Sequence, residues 1–300
     1  QNLRISLTQR CNLKCVYCHR EGQNPGLALP EMTTDEVVRI ARMAVSLGMT
    51  RMKLTGGEPL LRSDIVDIVH GLAAIPGLRD LAMTTNGTSL SFLAKPLKEA
   101  GLRRVNINLP SLDPKTYSML NGGDLNDVLN GVGTAVKAGL YPVKLNTLIL
   151  QGVNVDAIPK MIEFARQNQV VLQLMELEPV NIRDEFYKEY FFSLAAYEED
   201  LKKQALNVQT RGSMQNRHIY TLHGVKVEVV HPIENTSFCA HCTRLRVTSD
   251  GKLKPCLMVS DNLVDVLTPM RNGATDEQLK QLFITTVKRR EPYYKPTTSS

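Results

Sequence analysis

Apolar and polar residues alternate from Leu3 to Thr8 in the manner of a half-buried strand, and a cysteine-bearing loop follows at once. Thr33-Thr34-Asp35-Glu36 has the form of a capping box and predicts a helix to about Gly48, with Val37, Ala41, Ala44 and Leu47 on one face. The same unit then recurs. Strands are expected at Arg51 to Thr55, Asp80 to Thr85, Arg104 to Leu109, Val143 to Leu150 and Val170 to Leu177. The helices between them start with one capped by Ser63, whose inner stripe is Ile65, Ile68, Val69 and Leu72. Another runs from Leu90 to Ala100, two lie near 114–119 and 125–138, and one spans Val155 to Asn168.

Six strand–helix units at this spacing predict an α/β fold with a parallel sheet, read as a partial (β/α)6 TIM-like barrel. After about residue 180 the pattern changes. Residues 181–203 read as a connector plus helix, strand-like pieces follow at 218–222, 225–230, 244–248 and 252–254, and a last helix runs from about Asp276 to Arg290. The expected organisation is therefore a barrel over 1–180 and a C-terminal α+β region over 181–300 that closes its open side.

With 300 residues, 43% of them hydrophobic, the chain can bury a substantial core. No run of eighteen apolar residues exists, so no membrane partner is expected. No signal peptide is visible, and a short segment upstream of Gln1 is expected, so a cytoplasmic location is inferred. The net charge of +6 suits an anionic partner such as a nucleotide, but the basic residues form no long run, which argues against a nucleic-acid arm.

Cysteine changes the picture more. All six fall into two groups, Cys11-x3-Cys15-x2-Cys18 and Cys239-x2-Cys242-x13-Cys256. In a cytosolic chain such groups read as metal or redox sites rather than disulfides. Three thiolates can hold a [4Fe–4S] cubane with one iron left open for a small molecule. The competing reading is zinc, with His19 completing the first site or His241 the second. Beside Cys242, Arg244-Leu245-Arg246 alternates so that a strand would carry both guanidiniums on one side, where they suit phosphate or purine edges.

Cys11-Asn-Leu-Lys-Cys15-Val-Tyr-Cys18 and Thr55-Gly-Gly-Glu-Pro-Leu-Leu-Arg62 resemble the hallmarks of the radical S-adenosylmethionine superfamily. The segment Phe238 to Leu257 resembles the second-cluster signature of its molybdenum cofactor biosynthesis branch, the GTP 3′,8-cyclases. The resemblance covers the chain from Leu3 to about Arg290. It implies two [4Fe–4S] clusters, S-adenosylmethionine as cofactor and GTP as substrate. It implies further that a 5′-deoxyadenosyl radical takes hydrogen from C3′ of GTP and that the sugar radical attacks C8, giving (8S)-3′,8-cyclo-7,8-dihydroguanosine 5′-triphosphate. By the same resemblance Tyr17, Gly57 and Asn108 contact S-adenosylmethionine. Arg4, Lys53, Thr84, Lys144, Arg244, Leu245 and Arg246 contact GTP, whose guanine meets the open iron of the second cluster. Implied partners are an electron donor such as a flavodoxin or ferredoxin, a downstream cyclic pyranopterin monophosphate synthase, and a second copy of the chain in a homodimer.

The sequence departs from that family in five places. Lys53 stands for a usual Arg, Asn108 for Ser and Pro110 for Asp, and Glu178 lies where a methionine is expected. The family's Gly-Gly end is replaced by Pro296-Thr297-Thr298-Ser299-Ser300. A different two-cluster radical enzyme, such as a peptide maturase, is the alternative reading.

Overall fold

The computed structural model describes residues 2–23, 30–212 and 214–294. The differing C-terminal tail therefore lies outside the described residues. The first half follows the strand–helix rhythm: β1 (Asn2–Ser6), α1 (Thr34–Ser46), β2 (Arg51–Thr55), α2 (Ile65–Ala73), β3 (Asp80–Thr85), α3 (Leu90–Glu99) and β4 (Arg104–Asn108). It continues through α4 (Pro114–Asn121), α5 (Leu125–Lys137), β5 (Lys144–Leu148), α6 (Ile158–Gln167) and β6 (Val171–Met175). Thr33 and Glu36 form the expected capping box on α1. Ser63 does not cap α2. The cap position is Asp64, which makes no side-chain cap bond because its carboxylate receives Arg62 and the hydroxyl of Thr34 instead.

The remaining elements are α7 (Asp184–Tyr190), α8 (Ala195–Gln204), β7 (Asn207–Arg211), β8 (Arg217–Leu222), β9 (Val225–Val230) and α9 (Thr236–Ala240). After them come β10 (Arg244–Val247), β11 (Lys252–Lys254), β12 (Val264–Asp265), α10 (Leu267–Arg271) and α11 (Asp276–Lys288). This region does not form a separate layer. Its strands extend both edges of one twelve-stranded sheet, in the order β12-β11-β10-β1-β2-β3-β4-β5-β6-β9-β8-β7. Strands β10 and β9 pair parallel to β1 and β6, and antiparallel strands lie beyond them.

Alternation decides which side chains face which layer. Leu3, Ile5, Met52 and Leu54 join the hydrophobic core, while Arg4 and Lys53 between them line a cavity on the other face of the sheet. Register then puts Arg246, Arg4 and Lys53 side by side on β10, β1 and β2. Three cations on adjacent strands, only about 4.8 Å apart per strand, repel one another. Leu245 points the opposite way, into the core at 4% exposure, and can reach the cavity only through its backbone. Leu245→Ala should therefore cost about 2–5 kcal/mol of stability in denaturant unfolding and act as a core substitution, not as the loss of a ligand contact.

Candidate active site

Every other residue singled out above for a cluster, cofactor or substrate lines this one cavity. Its empty space, open mouth included, is about 2030 Å³. Ten Arg and Lys side chains line it against five Glu, so its walls carry an excess of positive charge.

The first cysteine group lies on the loop after β1. That loop is pinned by Gly56-Gly57, because Gly57 N–H donates to the Thr8 carbonyl and Glu58 N–H to that of Arg10, both at 2.7 Å. A Cβ on Gly57 would lie 2.1 Å from the Arg10 carbonyl oxygen, and one on Gly56, at φ +152°, would lie 2.5 Å from that of Thr8. Only glycines allow this approach. Glu58, 1% exposed, accepts the N–H groups of Leu60 and Asn86 and the hydroxyl of Thr85. Burial lifts its carboxyl to about 7 despite those bonds. Asn86 reaches on to Asn12 within the cysteine loop, and Lys14 and Val16 donate backbone bonds to the end of α4. Asn108 donates to the hydroxyl of Tyr17 at 3.0 Å, so the Asn found where Ser is usual joins two residues expected on the same cofactor.

The second group is carried by α9, the turn after it and the loop following β11. The two groups differ electrostatically. Burial raises the thiols of Cys11, Cys18 and Cys239 and pushes Cys15 to about 12. Burial acts the same way on Cys242, but Arg244, Arg290 and Arg246 outweigh it and hold that thiol below its ordinary value. Gln215 bridges the site, donating to Cys242 Sγ at 3.5 Å and accepting from Arg244 at 3.2 Å.

Both histidines of the zinc reading are engaged by groups other than the thiols. His19 Nδ1 accepts the N–H of Glu21, and exposed His241 lies 2.9 Å from the Ser237 carbonyl. Among the described residues no three His, Cys, Asp or Glu side chains converge where a single ion could sit. Thiols bordering an open cavity instead fit a larger body that takes one thiolate per iron.

The cations are only partly compensated. Arg4 pairs with Glu21 at 3.0 Å and Lys144 with Glu228. The Lys53 side chain makes no hydrogen bond or ion pair among the described residues. Burial, then Arg4, Arg104, Arg244 and Lys144, drives the Lys53 ammonium well below its usual value. Among the described residues Arg4 Nε, Arg246 Nε and Thr84 Oγ1 are buried without a hydrogen-bond partner. Orphaned donors beside unpaired cations mark where an anion fits. Sequence reasoning missed Arg211, Arg217, Glu228 and Gln215, whose grouping appears only once strand pairing is known, and also Met175, which lines the cavity at the end of β6.

The sequence pattern of the radical SAM superfamily matches residues 5–165, and that described as Molybdenum Cofactor Synthesis C matches residues 170–296. The chain is 48% identical to the probable GTP 3′,8-cyclase of Thermococcus kodakarensis, over 98% of this chain and 96% of that protein. The probable GTP 3′,8-cyclase of Methanocaldococcus jannaschii is 43% identical over the same shares. Among solved structures, Streptococcus suis SuiB bound to S-adenosylmethionine superposes with a TM-score of 0.65 at 18% identity, covering 89% of this chain and 63% of that one. This chain thus spans just under two thirds of SuiB. Native anSMEcpe with bound AdoMet gives 0.58 at 17%, covering 86% and 74%.

Replacing the unpaired cation should stabilise the ligand-free protein. Lys53→Met removes a half-buried, unpaired charge while keeping its length, and should raise unfolding free energy by on the order of 1 kcal/mol. A lysine whose folded pKa is depressed binds its proton only when unfolded, so stability should rise with pH toward the ordinary value of 10.5. Urea titrations across that range should show the rise in the parent protein and a flatter curve in Lys53→Met.

Proposed function

The chain belongs to the radical SAM superfamily, and from that premise we propose that it is a GTP 3′,8-cyclase of molybdenum cofactor biosynthesis, a lyase. The observation that carries this reading is the joining of both cysteine groups and the cation row in one cavity, in a chain 48% identical to a probable enzyme of that name across nearly its whole length. The resemblance to SuiB and anSMEcpe speaks for the shared fold and not for a peptide substrate.

We read the sheet as a partial barrel, residues 1–180 as its cofactor half and 181–300 as the half that completes the substrate site. Cys11, Cys15 and Cys18 would hold one [4Fe–4S] cluster and Cys239, Cys242 and Cys256 a second. With S-adenosylmethionine bound at the first, the chemistry supplied is a 5′-deoxyadenosyl radical. The remaining work is positioning. Gly57 and its neighbours would offer backbone groups to the cofactor's methionine end, with Tyr17 against its adenine and Asn108 bonded to Tyr17. Arg244, steadied by Gln215 beside Cys242, faces the guanine end of GTP. Arg4, Arg246 and Lys53 hold phosphates with the donors that the protein leaves unpaired, and Thr84 adds a hydroxyl. Fixing the nucleotide at base and phosphates keeps the ribose C3′ and the purine C8 between the two ends, where a bond can form between them. Electrons would come from a flavodoxin- or ferredoxin-like donor, and the product would pass to a cyclic pyranopterin monophosphate synthase.

Reduced protein incubated with GTP and S-adenosylmethionine should yield 5′-deoxyadenosine and the cyclised nucleotide together. 5′-Deoxyadenosine with no GTP-derived product would point to a different substrate. Arg244→Ala and Arg246→Ala should each lower kcat/KM for GTP at least about tenfold, roughly 1.4 kcal/mol, with both clusters still assembled. Unchanged turnover in the double variant would remove the role given to these arginines.

A further inference from the structure

Strand β9 reads Val-Lys-Val-Glu-Val-Val, and its Glu228 is 0% exposed. An acid so deeply buried is costly unless paired. Both of its oxygens are engaged. Oε2 receives the Lys144 ammonium of β5, and Oε1 receives Arg211 Nη1 of β7 at 3.0 Å and Arg217 Nη1 of β8 at 3.3 Å. Arg217 is held further by donating from Nε to the Met214 carbonyl at 3.0 Å. Burial alone would raise the Glu228 carboxyl, but Arg217, Lys144 and Arg211 keep it well below the usual range, so it stays ionised.

Three cations on one carboxylate leave the group positive. The three cations line the cavity, and Glu228 sits behind them. Long basic side chains each carry about 2 kcal/mol of rotamer freedom, which a ligand would have to immobilise. Holding one N–H of each against a common carboxylate removes much of that cost before the ligand arrives and leaves further donors on each side chain for it.

We propose that Glu228 is a positioning residue, which pins Lys144, Arg211 and Arg217 into a preformed cradle for the terminal phosphates of the nucleotide. This rests on the reading of the substrate as a nucleoside triphosphate. It adds Arg211 and Arg217 to the substrate contacts and gives Glu228 its role through them.

The arrangement also sets a pH dependence. Burial lowers Lys144 to about 8, opposed by Glu228 and reinforced by Arg211 and Arg217. Lys53 of β2 is a further cation within electrostatic reach of it, and Asn106 and Val171, its register partners on β4 and β6, do not titrate. Loss of Glu228 leaves the forces that lower Lys144 unopposed, so its proton is lost at lower pH.

The test is equilibrium binding of GTP, GDP, GMP and guanosine to the full chain with its clusters reconstituted anaerobically, at pH values on either side of about 8. In the parent protein affinity should step down from GTP to guanosine and weaken for GTP as pH rises. Glu228→Gln should shrink the GTP-to-guanosine ratio by roughly tenfold or more and move the pH of weakening downward, while Glu228→Asp restores part of both. Arg211→Gln, at a side chain already 25% exposed, should weaken GTP and leave guanosine unchanged. If Glu228→Gln does not fold, Arg211→Gln decides alone. A parental ratio in these variants overturns the proposal. A parent protein that binds guanosine as tightly as GTP would instead overturn the triphosphate reading beneath it.

Discussion

The structure depends on how it carries positive charge inside a cavity. Parallel pairing sets Arg246, Arg4 and Lys53 in one row across β10, β1 and β2, where neither distance nor bulk water can relieve their repulsion. One protein carboxylate, Glu21, serves the first two, at 3.0 Å from Arg4 and 4.0 Å from Arg246. Lys53 has none. A folded chain retains such a row only if something else offsets it, and thiolate-bound clusters at the ends with polyphosphate between them would do so. Stability given up in the ligand-free state becomes affinity when the anion arrives.

The same region ties the two cysteine groups together. Arg20, Glu21 and Gly22 form a left-handed turn directly after Cys18, at φ 49°, 51° and 66°. L-residues adopt that conformation only when their surroundings hold them there. Here Arg4 and Thr55 hold Glu21, and buried Lys254 donates to the Gly22 carbonyl at 3.1 Å. A Cβ on Gly22 would meet the Leu257 carbonyl oxygen at 2.6 Å, so this turn packs against the residue that follows Cys256. The segment after the first cysteine group thus meets the segment after the second, with Arg4 holding the turn through Glu21.

Much of this was legible in the sequence, for physical reasons. Period-two and period-3.6 patterns reflect local burial, so β1 to β6 and their helices were readable to within a few residues. Cysteine spacing reports ligand chemistry directly. Strand β7 left little signal because most of it is exposed, and Leu245 shows that one side chain of a motif can face the core while its neighbours line the cavity. The joining of β10 to β1 and of β9 to β6 was hidden, since parallel partners so far apart leave no local pattern. Glu228 was hidden for the same reason: its partner Lys144 lies 84 positions away. The cation row itself becomes visible only once register is known.

The most direct test of the account is the iron and acid-labile sulfide content of the protein reconstituted without oxygen. Two three-thiolate cubane sites predict about eight irons and eight sulfides per chain, falling to about four of each when Cys239, Cys242 and Cys256 are all replaced by Ala. A colourless protein containing zinc and no iron, or an iron content unchanged by that replacement, would contradict it.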